Sequence, residues 1–168
     1  VIATAATNSL VSLMRDLSDP QPSTYESVAE KLKELGFEQL QLNIPVRKDV
    51  VKFAGMSVHR KGDVTVQLSS GKGKEAGLSV SHLSISAMDK NASLEETVRR
   101  VSDWLGSEPE YPTKSAQFAV IESEAGWMPI ALSETRQWPN TLKGSLAHIS
   151  VSDMGFGISI TRIVTRTS

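Results

Sequence analysis

The sequence predicts an α+β fold: an N-terminal helix, then a duplicated unit of one helix and a four-stranded antiparallel sheet, with pseudo-two-fold symmetry. Three observations carry this expectation. Helical apolar stripes stand before runs of alternating strands, so the pattern is not the strand–helix–strand alternation of a parallel sheet. Two S-x-x-E helix-start signatures, Ser23/Glu26 and Ser93/Glu96, recur 70 positions apart. The segment 79–88 also matches 145–154, with five identical residues and three aliphatic exchanges. The expected division is a helix and Pro-containing linker over 1–22, a first repeat over 23–88 and a second over 89–168, the repeats forming one globular domain.

Each element has a local reason. Leu10, Val11, Leu13, Met14 and Leu17 make one helical face, with Thr7 or Asn8 as cap and Pro20 and Pro22 as breakers. Ser23 opens a second helix whose stripe is Tyr25, Val28, Ala29, Leu32 and Leu35, and Gly36 stops it. Strands follow at Leu40–Ile44, Val51–His59 and Val64–Leu68, with a hairpin turn at Arg60-Lys61-Gly62-Asp63. Ser70–Gly77, rich in Gly and Lys, reads as a loop, and Leu78–Ala87 as the next strand. The third helix starts at Ser93, carries Leu94, Val98, Val101 and Leu105, and ends at Gly106. Four more strands read at Ala116–Ser123, Trp127–Leu132, Ser145–Ser152 and Phe156–Val164.

The two matched strands each carry a histidine, His82 and His148, at the same place in the repeat. Apolar residues change parity at each histidine. A period-2 strand cannot bury both sets on one face, so a β-bulge or a change of packing layer is expected there. His82, Ser84, His148 and Ser150 are the candidates for a ligand site. Neither strand supplies a carboxylate near its histidine, so no metal and no cofactor are expected.

Composition excludes several chemistries. The 168 residues contain no cysteine, which removes disulfides, zinc–thiolate sites and thiol nucleophiles. The formal charge is −1, without the basic excess of a nucleic-acid or anionic-membrane binder. Ser70–Gly77 lacks the spacing of a phosphate loop, and no G-x-S-x-G elbow is present. Charge is instead polarised along the chain. Residues 46–74 hold seven basic and two acidic side chains, whereas 95–134 hold eight acidic and three basic ones.

These features point to a non-enzymatic protein-binding module of the adaptor, secretion-chaperone or toxin-neutralising type. Its expected contact residues are Trp138 and Trp127, the acidic Glu134, and the basic Arg47 and Lys48. A second copy of the chain is a further expected partner through the opposed charges; a membrane and nucleic acid are not expected. The alternatives are a small-molecule or metal-binding protein using the histidine strands, and an enzyme with a site at the repeat interface. A cytoplasmic location is expected; the lack of an initiator Met also fits a processed form.

Overall fold

The computed structural model describes residues 2–18, 24–40, 53–75, 78–137, 145–153 and 155–163. Among these, three helices and an eight-stranded antiparallel sheet make the expected α+β fold. The helices are α1 (Ile2–Leu17), α2 (Tyr25–Glu34) and α3 (Leu94–Leu105). The strands are β1 (Glu38–Leu40), β2 (Phe53–Lys61), β3 (Val64–Glu75), β4 (Leu78–Asp89), β5 (Ala116–Ser123), β6 (Gly126–Ile130), β7 (Ser145–Ser152) and β8 (Gly155–Ile163). A short 3-10 turn, Leu132–Gln137, follows β6. No helix among the described residues is long and apolar enough to cross a membrane.

The sheet order is β1-β2-β3-β4-β8-β7-β5-β6. The first half is a meander, but in the second β5, not β6, lies beside β7. The strand order expected of an exact repeat therefore does not hold. Burial explains the exchange. Phe118, Ala119, Val120 and Ile121 of β5 are all buried, which suits an interior strand covered on both faces. β6 contains Pro129, which has no N–H for a ladder and belongs at an edge.

All three helices cover one face. α1 packs against α3 and β4, α2 lies on β3, and α3 lies on β7 and β6. Beneath them Leu10, Met14, Leu32, Val66, Ile85, Val101, Ile149 and Ile158 form one buried core. α1 starts earlier than expected: it passes through Thr7 and Asn8, because Ala3, Ala5 and Ala6 before them are strong helix formers. Ser23 lies outside the described residues, and the α2 cap is Thr24. The Thr24 hydroxyl accepts from Ser27 N at 3.1 Å while Ser27 Oγ accepts from Thr24 N at 2.8 Å, a capping box one residue later than expected. Ser93 is the extended N-cap of α3, as expected, but its side chain makes no capping hydrogen bond, and Glu96 pairs with Arg99 at 2.6 Å. Leu35 does not belong to the α2 stripe; it is 41% exposed at the helix C-cap.

Two further expectations change. Ser70–Glu75 is strand, not loop, because β3 continues in register with β4 as far as Glu75↔Leu78. Alternation decides it: Gly71 faces His82 across the ladder, and a Cβ on Gly73 would stand 3.3 Å from His82 Nε2, so these glycines make room for the imidazole. No bulge occurs at either histidine, since β4 and β7 keep unbroken registers. The parity change instead reflects a second small cluster, Val80, Ile121 and Leu146 with Ile130 against it, on the sheet face away from the helices.

On the helix side of β2, His59 and Ser57 are buried and joined by a 2.7 Å bond between Nε2 and Oγ. Burial lowers the His59 pKa below its usual value. Above about pH 6.5 both folded and unfolded chains hold the ring neutral. As pH falls below that, the unfolded chain takes up the proton first, so stability falls on the acid side. Urea midpoints should drop between pH 7.5 and 5, and His59→Gln should remove part of that slope. A second expectation concerns the α2 cap: Thr24→Ala should cost about 1 kcal/mol, read from urea unfolding.

Candidate functional site

Three helix C-termini and one hairpin converge on the helix side of the sheet. Arg15 and Asp16 stand in the last turn of α1, Lys31, Glu34 and Leu35 at the end of α2, and Trp104 at the end of α3. With Ala125, Gly126 and Trp127 of the β5–β6 hairpin they line an open cleft of about 620 Å³. The hairpin turn is possible because Gly126 takes φ 106°, a conformation that side-chain-bearing residues rarely adopt.

Each helix end carries roughly half a negative charge on its free carbonyls. The chain answers with its own cations. Lys31 Nζ donates to the Asp16 carbonyl at 2.7 Å, tying α2 to α1, and Lys61 Nζ donates to the Leu35 carbonyl at 2.7 Å, tying β2 to α2. Trp127 Nε1 donates to the Ser18 carbonyl at 2.6 Å, tying the hairpin to α1. Both indoles are half-buried and packed against the core. Polar ties thus join the elements of the cleft, and Trp104, Trp127 and Leu35 share its lining with Arg15, Asp16, Lys31 and Glu34.

The sequence-derived contact residues are not brought together here. Trp127 is in the cleft. Glu134 is exposed on the 3-10 turn, in a separate groove of about 380 Å³ with Glu108 and Glu110, where Glu110 Oε2 accepts from Leu132 N at 2.7 Å. Trp138, Arg47 and Lys48 lie outside the described residues. Arg15, Asp16, Lys31, Glu34, Leu35 and Trp104 were not expected at a site. Charge at helix ends was the one signal available, and it only becomes a cleft once the helices are packed.

The histidines share the sheet face away from the helices but not one position. His82 is on β4 opposite Thr161, and its Nδ1 lies 3.0 Å from Thr161 Oγ1. His148 is on β7 opposite Ser159. The matched segments are therefore the fourth strand of one half and the third of the other. Two strand spacings and one two-residue step separate them, about 12 Å between Cα atoms. Two zinc ligands must place their donor atoms within about 4 Å of each other, which this separation does not favour. Among the described residues no group of three or more His, Asp or Glu could hold a metal ion.

That face has a distinct composition. One row reads Leu40, Val58, Gln67, Ser86, Gly157, Ser150 and Gln117 across seven strands. The next reads Met56, Ser69, Ser84, Ser159, His148, Ala119 and Ile130. Neither row contains a Lys, Arg, Asp or Glu. Ser84 and Ser150, expected at a ligand site with the histidines, are thus members of a broad small-residue surface.

No protein-family model matches the chain, and no curated protein or solved structure matches it.

The Trp127 tie has a checkable energy. Trp127→Phe keeps most of the apolar contact and removes the donor to Ser18, so it should lower stability by about 1 kcal/mol. Ser18→Ala should not, because the acceptor is the backbone carbonyl and the Ser18 hydroxyl is buried without a partner. Thermal unfolding of both variants measures the contrast.

Proposed function

We propose that the protein is a non-enzymatic protein-binding module that receives a segment of its partner in the cleft between the helix ends. The observation that carries this reading is the make-up of the cleft: two indoles, a 41% exposed leucine and four charged side chains line the same opening. Interface hot spots have this arrangement, with Trp and Arg anchors surrounded by polar groups that exclude water. The aromatic walls are already held by hydrogen bonds and packing, so little side-chain entropy is lost on binding.

Charge polarity supports the same reading. Phe53–Glu75 carries four basic and two acidic residues, whereas Glu108–Gln137 carries five acidic and two basic ones. These segments stand on opposite sides of the central β4–β8 pair, so the molecule presents unlike fields at its two ends and orients an incoming partner. The Ser57–His59 pair has the composition of a nucleophile and base, yet both residues are buried (2% and 3% exposed), closed to a substrate.

A photo-crosslinking residue at Leu35 or Ala125, expressed in the native source, should capture one discrete protein. The same residue at Glu95, in the first turn of α3, should not. Adding Leu35→Asp to the Ala125 probe should reduce capture tenfold or more while the melting temperature stays within a few degrees. Equal labelling from Leu35 and Glu95, or none from the cleft positions, would sink the proposal.

A further inference from the structure

A second concavity, separate from the cleft, lies at the other end of β6, and we infer that it docks an extended basic segment of a protein partner. Two stretches of chain meet the same edge of β5 at neighbouring positions. Ile130 of β6 pairs with Ala119, and Glu110 pairs with Gln117 through two 2.8 Å backbone hydrogen bonds. Glu110 belongs to the connection after α3, whereas Ile130 leads into the 3-10 turn, so the two stretches part as they leave the sheet. The groove of about 380 Å³ lies between them. Glu110 Oε2 accepts from Leu132 N at 2.7 Å and ties one wall to the other, so the groove is formed before any ligand arrives. At its base the walls rest on residues two positions apart, about 6.7 Å. That width takes side chains from an extended segment and not a helix, which is about 10 Å across.

The lining selects the occupant. Glu108, Glu110 and Glu134 all border the groove, and no Lys, Arg or His among the described residues does. Glu108 and Glu134 are exposed, and neither carboxylate makes an ion pair or hydrogen bond among the described residues. Pro129, Ile130 and Ala131, each half-buried, add an apolar wall. Lys and Arg match both features, because an apolar stem can lie along that wall while the charged head reaches the carboxylates. Arg matches best, since its planar fork can hold a carboxylate through two hydrogen bonds. Among the described residues no three acidic groups stand close enough together to hold a metal ion. Carboxylates spread along a groove suit charges spaced along a peptide instead. Exposed ion pairs alone are weak, so apolar side chains between the basic ones have to contribute.

Fluorescence anisotropy with a labelled hexapeptide alternating Arg and Leu tests the inference. The peptide should bind at about 50 mM salt and weaken severalfold at about 300 mM. Gln in place of its Arg should abolish binding, and Gly in place of its Leu should weaken it. Glu108→Gln combined with Glu134→Gln should reduce affinity tenfold or more. Glu95→Gln combined with Glu124→Gln removes the same charge from α3 and the β5–β6 turn and should leave affinity within twofold. Circular dichroism confirms that each variant is folded. Leu35→Asp, in the cleft, should also leave affinity within twofold. No binding of the Arg–Leu peptide, equal binding of the Gln–Leu peptide, equal loss in the two double variants, or loss with Leu35→Asp overturns the inference. Displacement of the peptide by an equal concentration of spermidine also overturns it, since the groove would then take a small polycation. A failure here leaves capture at Leu35 or Ala125 untouched, so the groove and the cleft stand or fall separately.

Discussion

Antiparallel pairing of β4 with β8 joins the two halves of this protein, and the other features follow from it. The strands run in register from Val80↔Ile163 to Met88↔Gly155. On the helix side their facing pairs Leu83↔Ile160 and Ile85↔Ile158 are buried at the middle of the core. The pairing is distant in sequence, so its loop-closure entropy must be offset by burial of those pairs and of α1 above them. It also demands close backbone approach: a Cβ at Gly155 would overlap the Ala87 carbonyl oxygen and stand 2.9 Å from Met88 Cα. A glycine is required there by contact, not by φ.

α1 follows from that seam. Its Leu10, Met14 and Leu17 are at most 1% exposed, and it packs against β4 and α3. Once α1 is set over the centre, its C-terminus must meet the ends of α2 and α3 and the β5–β6 hairpin. The carbonyls freed at those ends need donors, and Lys31, Lys61 and Trp127 supply them. The cleft is thus a by-product of satisfying helix ends around a central helix. Its aromatic wall is rigid because the same groups that line it also tie the elements together.

Covering one face with helices leaves the other to be managed differently. Val80, Ile121 and Leu146 make a small buried cluster there, while Leu40, Met56 and Met88 remain exposed. The edges are protected by a three-residue β1 and by Pro129 in β6.

Local chemistry alone carried much of the secondary structure. β5 and β7 fall on the predicted residues, and the apolar stripes of α2 and α3 are read from spacing, because each depends on neighbours three or four positions away. Where local signals compete, reading failed. Gly71 and Gly73 look like loop until His82 is placed across from them, and Thr24 competes with Ser23 as a cap. The sequence match between β4 and β7 was real as a pattern but misplaced the histidines, since one period-2 pattern suits any strand with a small-residue face. The cleft was least legible: Trp127 was singled out, but Arg15, Lys31, Leu35 and Trp104 come from three elements that meet only through packing. Composition and periodicity by themselves determined the α+β class, the helix faces and the exclusion of cysteine chemistry. The tertiary structure alone decided strand order, the placement of the histidines and the site, because these depend on contacts between residues far apart in the chain, which no local pattern encodes.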